Sequence, residues 1–222
     1  MSRSNYCLAL LILLMFSCKD AGSGRDNTAH EDPLERLMKG NRRFLSGRPA
    51  HPDETRERIR NLKKGQEPYV IIVSCSDSRV PPELVFDQGF GDVFSIRTAG
   101  NVIGDYELGS IEYAVEHLKC KLVMVMGHEN CGAIDAYIHK GVEVHHDHIQ
   151  SLINYIDSEI EEQELPDSLK HDLGHAVIAN IRHGVKILQE SEPILKKLYA
   201  SKKIQIVGAF YDLDTGEVQL LK

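Results

Sequence analysis

The sequence has 222 residues, a length that predicts one domain with room for an additional helical arm. Hydrophobic residues make up 42% of the chain, which excludes an intrinsically disordered protein. The formal net charge is −7 and residues of both signs are interspersed, which argues against a nucleic-acid-binding protein.

The first residues have the pattern of an export signal. Arg3 gives a positive start, residues 7–16 form an uninterrupted apolar run, and Ser17-Cys18 stands at the end of that run. The run is too short to cross a bilayer as a helix of the mature protein, but it suits the core of a secretory signal. A small residue directly before a cysteine is typical of a bacterial lipoprotein cleavage site.

We therefore expect a signal peptide over residues 1–17, a lipid anchor on Cys18 and a flexible tether over residues 18–31. The protein would be exported to the periplasm or cell envelope and would contact the membrane only through that anchor. An uncleaved anchor and ordinary secretion are the alternatives.

Residues 32–222 show strands that alternate with helices. Strands are predicted over residues 69–74, 91–97, 121–126, 204–210 and 217–221. Helices are predicted over residues 32–44 and 53–64, in a short piece up to Phe86, from Asp105, from Cys131, over 144–163, from Leu169 to Val185, and after a cap at Ser191. This alternation predicts an α/β domain: a central, mostly parallel sheet of four parallel strands plus a C-terminal antiparallel edge strand, flanked by helices, with an N-terminal helical arm.

Metal-binding side chains follow two of these strands. Cys75 and Asp77 come after the strand over 69–74, and His128 and Cys131 come after the strand over 121–126. Residues two apart in an extended segment face the same side, and residues three apart at the start of a helix can do so as well. Ligands bind at the carboxyl ends of parallel strands, and sulfur with imidazole selects zinc over magnesium or calcium. We therefore expect a zinc site.

Arg79 favours a catalytic zinc site over a closed structural one. Asp77 is the candidate exchangeable fourth ligand, because Arg79 can pair with its carboxylate through two hydrogen bonds and hold it off the metal. A catalytic zinc keeps one position for water, and it lowers the pKa of that water from ~15.7 to roughly 7. In a chain without the zinc ligands, the same pair would be interpreted as a loop salt bridge.

Three cysteines follow Cys18 in the sequence: Cys75, Cys120 and Cys131. Their odd number is untypical of a disulfide framework. A single Cys75–Cys131 disulfide is the alternative to metal binding in an oxidising compartment, but it gives Asp77 no role. Cys120 is predicted to be a small, half-buried packing residue.

The chain resembles the β-class carbonic anhydrases over almost the whole predicted domain. The motifs behind this resemblance are Gly40–Phe44, Cys75–Pro81, Arg97–Asn101, Gly127–Gly132 and Gly208–Asp212. The resemblance implies reversible hydration of carbon dioxide to bicarbonate and a proton, with one Zn²⁺ per subunit. It implies Cys75, His128 and Cys131 as permanent zinc ligands. Asp77 and Arg79 would be the gating pair, and a homodimer, often paired into a tetramer, would be the active form.

The resemblance also implies a narrow substrate pocket beside Gly132, completed by Gln66, Phe94 and Tyr113. Gln66 would donate a hydrogen bond to a substrate oxygen, while the two aromatic rings would keep the pocket apolar. The alternative is that Gln66 is a surface loop residue and that Phe94 and Tyr113 are aromatic residues of the core. Ile72 stands where effector-sensitive members have a tryptophan, and the chain contains no tryptophan, so we do not expect switching by bicarbonate.

Two other functions remain open at this point. The same metal site could hydrolyse carbon disulfide or carbonyl sulfide, or the protein could be a non-catalytic zinc-binding lipoprotein. Arg79 argues against the latter because a closed site needs no gating arginine. A second histidine-rich cluster, His145-His146-Asp147-His148, is predicted to be a set of solvated side chains, with proton shuttling or metal scavenging as the alternative.

Overall fold

A five-stranded sheet forms the centre of the fold. In the computed structural model its strands are β1 (Val70–Cys75), β2 (Val93–Thr98), β3 (Leu122–His128), β4 (Gln205–Tyr211) and β5 (Val218–Leu220). The strand order is β2-β1-β3-β4-β5, in which the first four strands are parallel and β5 is antiparallel to β4. The predicted α/β class and the antiparallel edge strand are thereby confirmed.

The structure describes residues 31–140, 147–166 and 168–222, and residues Glu31–Lys222 form one compact unit. The predicted signal peptide, Cys18 and most of the tether lie outside the described residues. Helices in the described ranges are α1 (Pro33–Leu45), α2 (Arg56–Leu62), α3 (Pro82–Val85), α4 (Asp105–Glu116), α5 (Gly132–Ile138), α6 (His148–Asp157), α7 (Ile160–Gln163), α8 (Leu173–Glu190) and α9 (Leu195–Ala200). None of the helices in these ranges is both long and apolar enough to cross a membrane.

The two central strands, β1 and β3, are buried along their whole length. Strands covered on both faces read as continuous apolar runs, which is why both were recognisable in the sequence. α8 packs against β3 so closely that a Cβ atom on Gly127 would lie 2.7 Å from the side chain of Ile181. Ser74 pairs with Met126, so the carboxyl ends of the two strands lie side by side.

The N-terminal arm, α1, is fastened to the rest of its own chain. The Asp32 side chain caps the helix by accepting a hydrogen bond of 3.0 Å from the backbone N–H of Glu35. Asn41 is buried, donates to the carbonyl oxygens of Val85 and Gly216, and accepts from the backbone N–H of Val218. The helix therefore joins both ends of the domain.

Several helix boundaries differ from the prediction. The polar helix expected over 144–163 is two helices, α6 and α7, in its described part, and the helix expected over 53–64 is the shorter α2. Leu169 lies outside α8 because the Asp172 side chain caps that helix, accepting from the backbone N–H of His175 at 2.9 Å. Ser191 ends α8 and does not cap α9, which begins at Leu195 without a side-chain cap.

Cys120 is more deeply buried than predicted. Only 2% of it is exposed, and its thiol donates a hydrogen bond of 2.8 Å to the carbonyl oxygen of Pro68. It lies just before β3, where the preceding loop covers it, so it is a packing residue, as expected.

Candidate metal centre

Three metal-capable side chains meet at the carboxyl edge of the sheet. Cys75 ends β1, His128 ends β3, and Cys131 is the residue before α5. The sulfur atoms and a ring nitrogen lie within 4.8 Å of one another, and all three residues are buried. β3 extends two residues beyond the predicted end at Met126, so His128 belongs to the strand itself.

The His128 ring is oriented for a ligand at Nε2. Its Nδ1 lies 2.7 Å from the backbone carbonyl oxygen of Glu129, so Nδ1 carries the hydrogen and donates it. Nε2 is then the lone-pair atom. It is buried and has no hydrogen-bond partner among the described residues. A backbone carbonyl that fixes the tautomer in this way is typical of metal-binding histidines.

The two sulfur atoms are not joined. Cys75 and Cys131 are free cysteines whose Sγ atoms lie 4.0 Å apart, whereas a disulfide places them about 2.05 Å apart. The hydrogen bond with Cys131 lowers the pKa of Cys75 to about 4 and outweighs the opposite effect of burial. The same hydrogen bond and burial raise the pKa of Cys131. Cys75 is thus the sulfur that more readily becomes a thiolate, the form that binds metals.

The donor set fits zinc. Two sulfurs and one imidazole nitrogen form a three-ligand set that leaves a fourth tetrahedral position for an exchangeable group. In residues 31–140, 147–166 and 168–222 this is the only group of three or more cysteine, histidine or carboxylate side chains close enough together to hold an ion. The buried, unpartnered Nε2 of His128 agrees with this interpretation, because an orphaned buried nitrogen is costly unless something binds it.

Asp77 and Arg79 lie beside these ligands in the predicted arrangement. The Arg79 guanidinium donates to both carboxylate oxygens of Asp77, at 2.9 and 2.7 Å, and the Arg79 backbone N–H donates to Oδ1 at 2.9 Å. The hydrogen bonds from Arg79 hold the pKa of the Asp77 carboxyl well below its usual range. Asp77 Oδ2 lies 3.9 Å from His128 Nε2, so the charged carboxylate borders the space between the ligands.

Arg97 is a site residue that the sequence alone did not single out. It lies on β2, and its guanidinium donates to the backbone carbonyl oxygens of Cys75, at 3.1 Å, and Asp77, at 2.6 Å. It thereby fixes the backbone on both sides of the first ligand. The sequence signal was its place in the Arg97–Asn101 motif. Its contacts depend on the β1–β2 register, in which Thr98 pairs with Cys75.

Gly100 closes the site from the β2 side. Its backbone N–H lies 3.4 Å from Cys75 Sγ and donates to it, while its carbonyl oxygen accepts 2.8 Å from the buried Asn180 side chain on α8. Gly100 has φ +64°, and a Cβ atom there would lie 3.0 Å from the Ala133 methyl group. Only glycine meets both conditions without strain. No sequence pattern pointed to Asn180.

The predicted pocket residues do not meet at this centre within one chain. Gln66 is exposed in the loop before β1, at the amino edge of the sheet. Phe94 pairs with Ile71, four residues before the Cys75–Thr98 pair, which places it roughly 13 Å along the strands from the metal ligands. Tyr113 is 49% exposed near the end of α4, so it is not a core aromatic. Only Gly132, the first residue of α5, adjoins a ligand.

The second histidine cluster is described only in part. His145 and His146 lie outside the described residues. Asp147 caps α6 by accepting a hydrogen bond of 2.9 Å from the backbone N–H of Ile149, and His148 is exposed. The interpretation of this cluster as solvated side chains stays a prediction.

Known proteins resemble this chain in both sequence and structure. A family model described as "Carbonic anhydrase" matches residues 70–218. Carbonic anhydrase 2 of Mycobacterium tuberculosis (strain ATCC 25618 / H37Rv) is 37% identical, with coverage of 83% of this chain and 89% of that protein. A solved β-carbonic anhydrase of Coccomyxa in complex with acetazolamide superposes with a TM-score of 0.64 at 27% identity, covering 85% of this chain and 86% of that one. The chain belongs to the β-class carbonic anhydrase family.

The β-carbonic anhydrase fold is also seen in a second neighbour. A structure from Sordaria macrospora, described as one of two tetrameric β-carbonic anhydrases, has a TM-score of 0.64 and 23% identity, covering 86% of this chain and 98% of that one. Family membership together with the Cys75, His128 and Cys131 cluster confirms the predicted zinc cofactor.

Proposed function

We propose that the protein catalyses the reversible hydration of carbon dioxide to bicarbonate and a proton at Cys75, His128 and Cys131. The observation behind this proposal is the buried three-ligand cluster with an unpartnered nitrogen and a charged carboxylate at its border. The names of its relatives point to the same reaction.

Cys75, His128 and Cys131 would hold the zinc. When bound, zinc supplies a Lewis acid that lowers the pKa of a water molecule from ~15.7 to roughly 7, so that hydroxide is available near neutral pH. The protein contributes the orientation of that nucleophile and the shape of the site around it.

Asp77 has the properties of an orienting group. Because Arg79 holds its pKa low, the carboxylate stays charged and is a poor proton acceptor. It can still accept a hydrogen bond from a water molecule or hydroxide beside the three ligands. That hydrogen bond would orient the oxygen lone pair that attacks the substrate. Arg79 in turn keeps Asp77 from becoming a fourth ligand, so the pair would act as a gate.

We further propose that Gln66, Phe94 and Tyr113 complete the pocket of a neighbouring copy. Two observations support this. β2 is an edge strand with no partner on its outer side among the described residues, and the face near it exposes apolar side chains, with Tyr106 90% and Phe90 51% exposed. A homodimer or tetramer would cover these side chains, and the Sordaria proteins are described as tetrameric.

We also propose that the protein is exported and anchored. Residues 1–17 would be removed, Cys18 would be lipidated, and residues 18–31 would tether the domain, 32–222, in the periplasm or cell envelope. The support is the sequence pattern of Arg3, the apolar run and Ser17-Cys18. Mass spectrometry of the mature N-terminus, with Cys18→Ser as the control, tests this directly.

Stopped-flow hydration of carbon dioxide by the zinc-loaded full chain tests the reaction. The wild type should turn over across pH 7 to 9, while Asp77→Ala and Arg79→Ala should lose activity and keep their zinc. A wild type that holds zinc stoichiometrically and hydrates no carbon dioxide would contradict the proposed reaction and favour a closed, non-catalytic site.

A further inference from the structure

A group of lysines lies at the amino edge of the sheet, opposite the metal centre. We call this group the basic face and define it as Lys119, Lys121, Lys202 and Lys203, all of which are exposed. Two neighbouring cavities of about 580 and 490 Å³ open there, and Lys121, Lys203 and Ile204 line both. Four lysines thus lie close together beside two carboxylates, Asp32 and Glu116, which line the same cavities, in a chain whose net charge is −7.

Among the described residues, no ion pair neutralises the charges of the basic face. In the described part of the chain, no carboxylate lies within 4.0 Å of the Lys121, Lys202 or Lys203 ammonium groups. Lys119 donates to the backbone carbonyl oxygen of Glu116 and not to its carboxylate. Unpaired, clustered lysines produce a positive potential that attracts an anionic surface.

Three lysines elsewhere on the molecule are paired. Lys39, Lys140 and Lys186 each form an ion pair with a carboxylate of the same chain. Their charge is therefore largely satisfied within the protein. These three residues line neither cavity of the basic face, so they offer a matched set for comparison.

The start of the domain lies at the same place. Asp32 and Pro33 line the cavity that Lys121, Lys202 and Lys203 line. If Cys18 bears the lipid, the segment between it and Asp32 is short, and even a fully extended chain of that length reaches only about 50 Å. The anchor would thus hold the basic face close to the bilayer.

Tyr199 adds an aromatic group to this edge. It is 37% exposed and lines the same cavity as the lysines. Tyrosine rings next to lysines are typical of protein surfaces at the membrane–water interface, because the ring is apolar and its hydroxyl is polar.

We propose that the basic face docks on the anionic lipid headgroups of the bilayer to which the chain is anchored. The inference rests on the proposed export and not on the proposed chemistry. Lys121 directly precedes β3 and His128 ends it, so seven residue steps separate them by roughly 23 Å. The Debye length is about 8 Å at physiological ionic strength, so the metal centre lies beyond the potential of the membrane, at the edge of the sheet away from the bilayer.

Vesicle partitioning of the full chain tests the proposal. Binding is measured on vesicles of pure phosphatidylcholine and on vesicles with about one third phosphatidylglycerol. The quantity compared is the affinity for the anionic vesicles divided by the affinity for the neutral ones. The apolar run near the N-terminus contributes to both affinities and cancels in the ratio. Three variants are compared: wild type, Lys121→Gln/Lys202→Gln/Lys203→Gln, and the control Lys39→Gln/Lys140→Gln/Lys186→Gln, which loses the same charge.

The basic-face variant should lower the ratio about a hundredfold, because each of the three lysines near an anionic surface contributes roughly a fivefold gain in affinity. The control should lower it a few fold, and raising the salt to about 0.5 M should abolish the difference between the vesicles. Equal losses in both variants, or a ratio that salt does not change, would overturn the proposal. Tighter binding to duplex DNA than to the anionic vesicles would assign the face to a different partner and also overturn it.

The orientation has its own readout. Carbon dioxide hydration by the vesicle-bound chain should equal that of the free chain, since the metal centre faces away from the bilayer. A loss of activity on binding, in a chain active when free, would contradict the orientation. A chain inactive in both states would instead count against the proposed function, and partitioning would still be measurable.

Discussion

At the scale of single residues, the site depends on hydrogen bonds that hold one short loop from two sides. Arg79 binds the Asp77 side chain, and Arg97 binds the carbonyl oxygens of Cys75 and Asp77. The Arg79 side chain is 51% exposed, so its pairing with Asp77 adds little to stability. Both arginines therefore matter for geometry: a misplacement of about 1 Å at a reacting group can reduce a rate a hundredfold.

Replacing Arg97 by lysine tests its positioning role. Lysine keeps the charge but cannot donate to two carbonyl oxygens in the planar geometry of a guanidinium. We expect Arg97→Lys to retain zinc and to lower kcat about tenfold, with a smaller effect on KM. Arg60→Lys, on the exposed side of α2, is the control and should be unchanged in stopped-flow assays. Full activity of Arg97→Lys would show that the loop keeps its shape unaided.

Asp87 gives a prediction about pH and stability. Burial raises the pKa of its carboxyl, but the backbone N–H groups of Ala50 and His51 and the side chain of Arg43 outweigh burial, so the net pKa is lowered. A carboxyl whose pKa is lower in the folded state than in the unfolded state stabilises the fold at pH values above the unfolded-state pKa of ~3.9. This stabilisation is lost as the pH falls towards the folded-state pKa.

Urea unfolding of wild type and Asp87→Asn from pH 7 to pH 3 measures this effect. The difference in the free energy of unfolding should be constant between pH 7 and about pH 5 and should shrink below about pH 4. A difference that grows as the pH falls would contradict the assigned direction of the shift.

At the scale of helices and strands, the sequence predicted what its local pattern determines. The strands were recognisable because β1 and β3 are buried apolar runs, and the ligands were recognisable because they directly follow those runs. The start of α8 was misplaced because Leu169 continues the apolar spacing, while the cap at Asp172 decides where the helix begins. Arg97 and Asn180 could not be predicted to contact the loops at the site, since their contacts depend on register and on helix packing.

The attachment of α1 gives the element-scale prediction. Asn41 makes three buried hydrogen bonds to residues from two other parts of the chain. Asn41→Ala leaves those backbone groups without partners, and we expect it to lower the free energy of unfolding by about 3 kcal/mol. The neighbouring Arg42→Ala, on the exposed side of the same helix, should change it by at most ~0.5 kcal/mol in urea titrations. Equal effects of the two changes would show that α1 is not fastened through Asn41.

At the scale of the whole molecule, one chain brings Cys75, His128 and Cys131 together but does not bring the predicted pocket residues beside them. Gln66, Phe94 and Tyr113 lie away from the carboxyl edge of their own sheet, while exposed aromatic side chains flank β2. We therefore expect that contacts between copies complete the substrate pocket, while a single chain supplies all the residues that bind the metal. Under this proposal, spacing along one chain can suggest the pocket residues but cannot place them, because their position at the site depends on a second copy.

Tyr113→Asp tests this division. A charge on α4 should weaken the assembly, because an unpaired carboxylate is costly in an apolar contact. We expect light scattering to show a smaller mass, and carbon dioxide hydration to fall together with the mass while zinc is retained. Leu220→Asp is the control: it is 40% exposed on β5, the opposite edge strand, and should keep the mass of the wild type. A Tyr113→Asp variant that has the mass of a single chain and is fully active would contradict the proposed shared pocket.

The zinc content of the purified chain tests the central claim most directly. Elemental analysis should find one zinc per chain in the wild type and close to none in His128→Ala and Cys131→Ser. Cys75 and Cys131 should both react with a thiol reagent after the metal is removed. A wild type without stoichiometric zinc, or one in which these two cysteines are joined as a disulfide, would contradict the account.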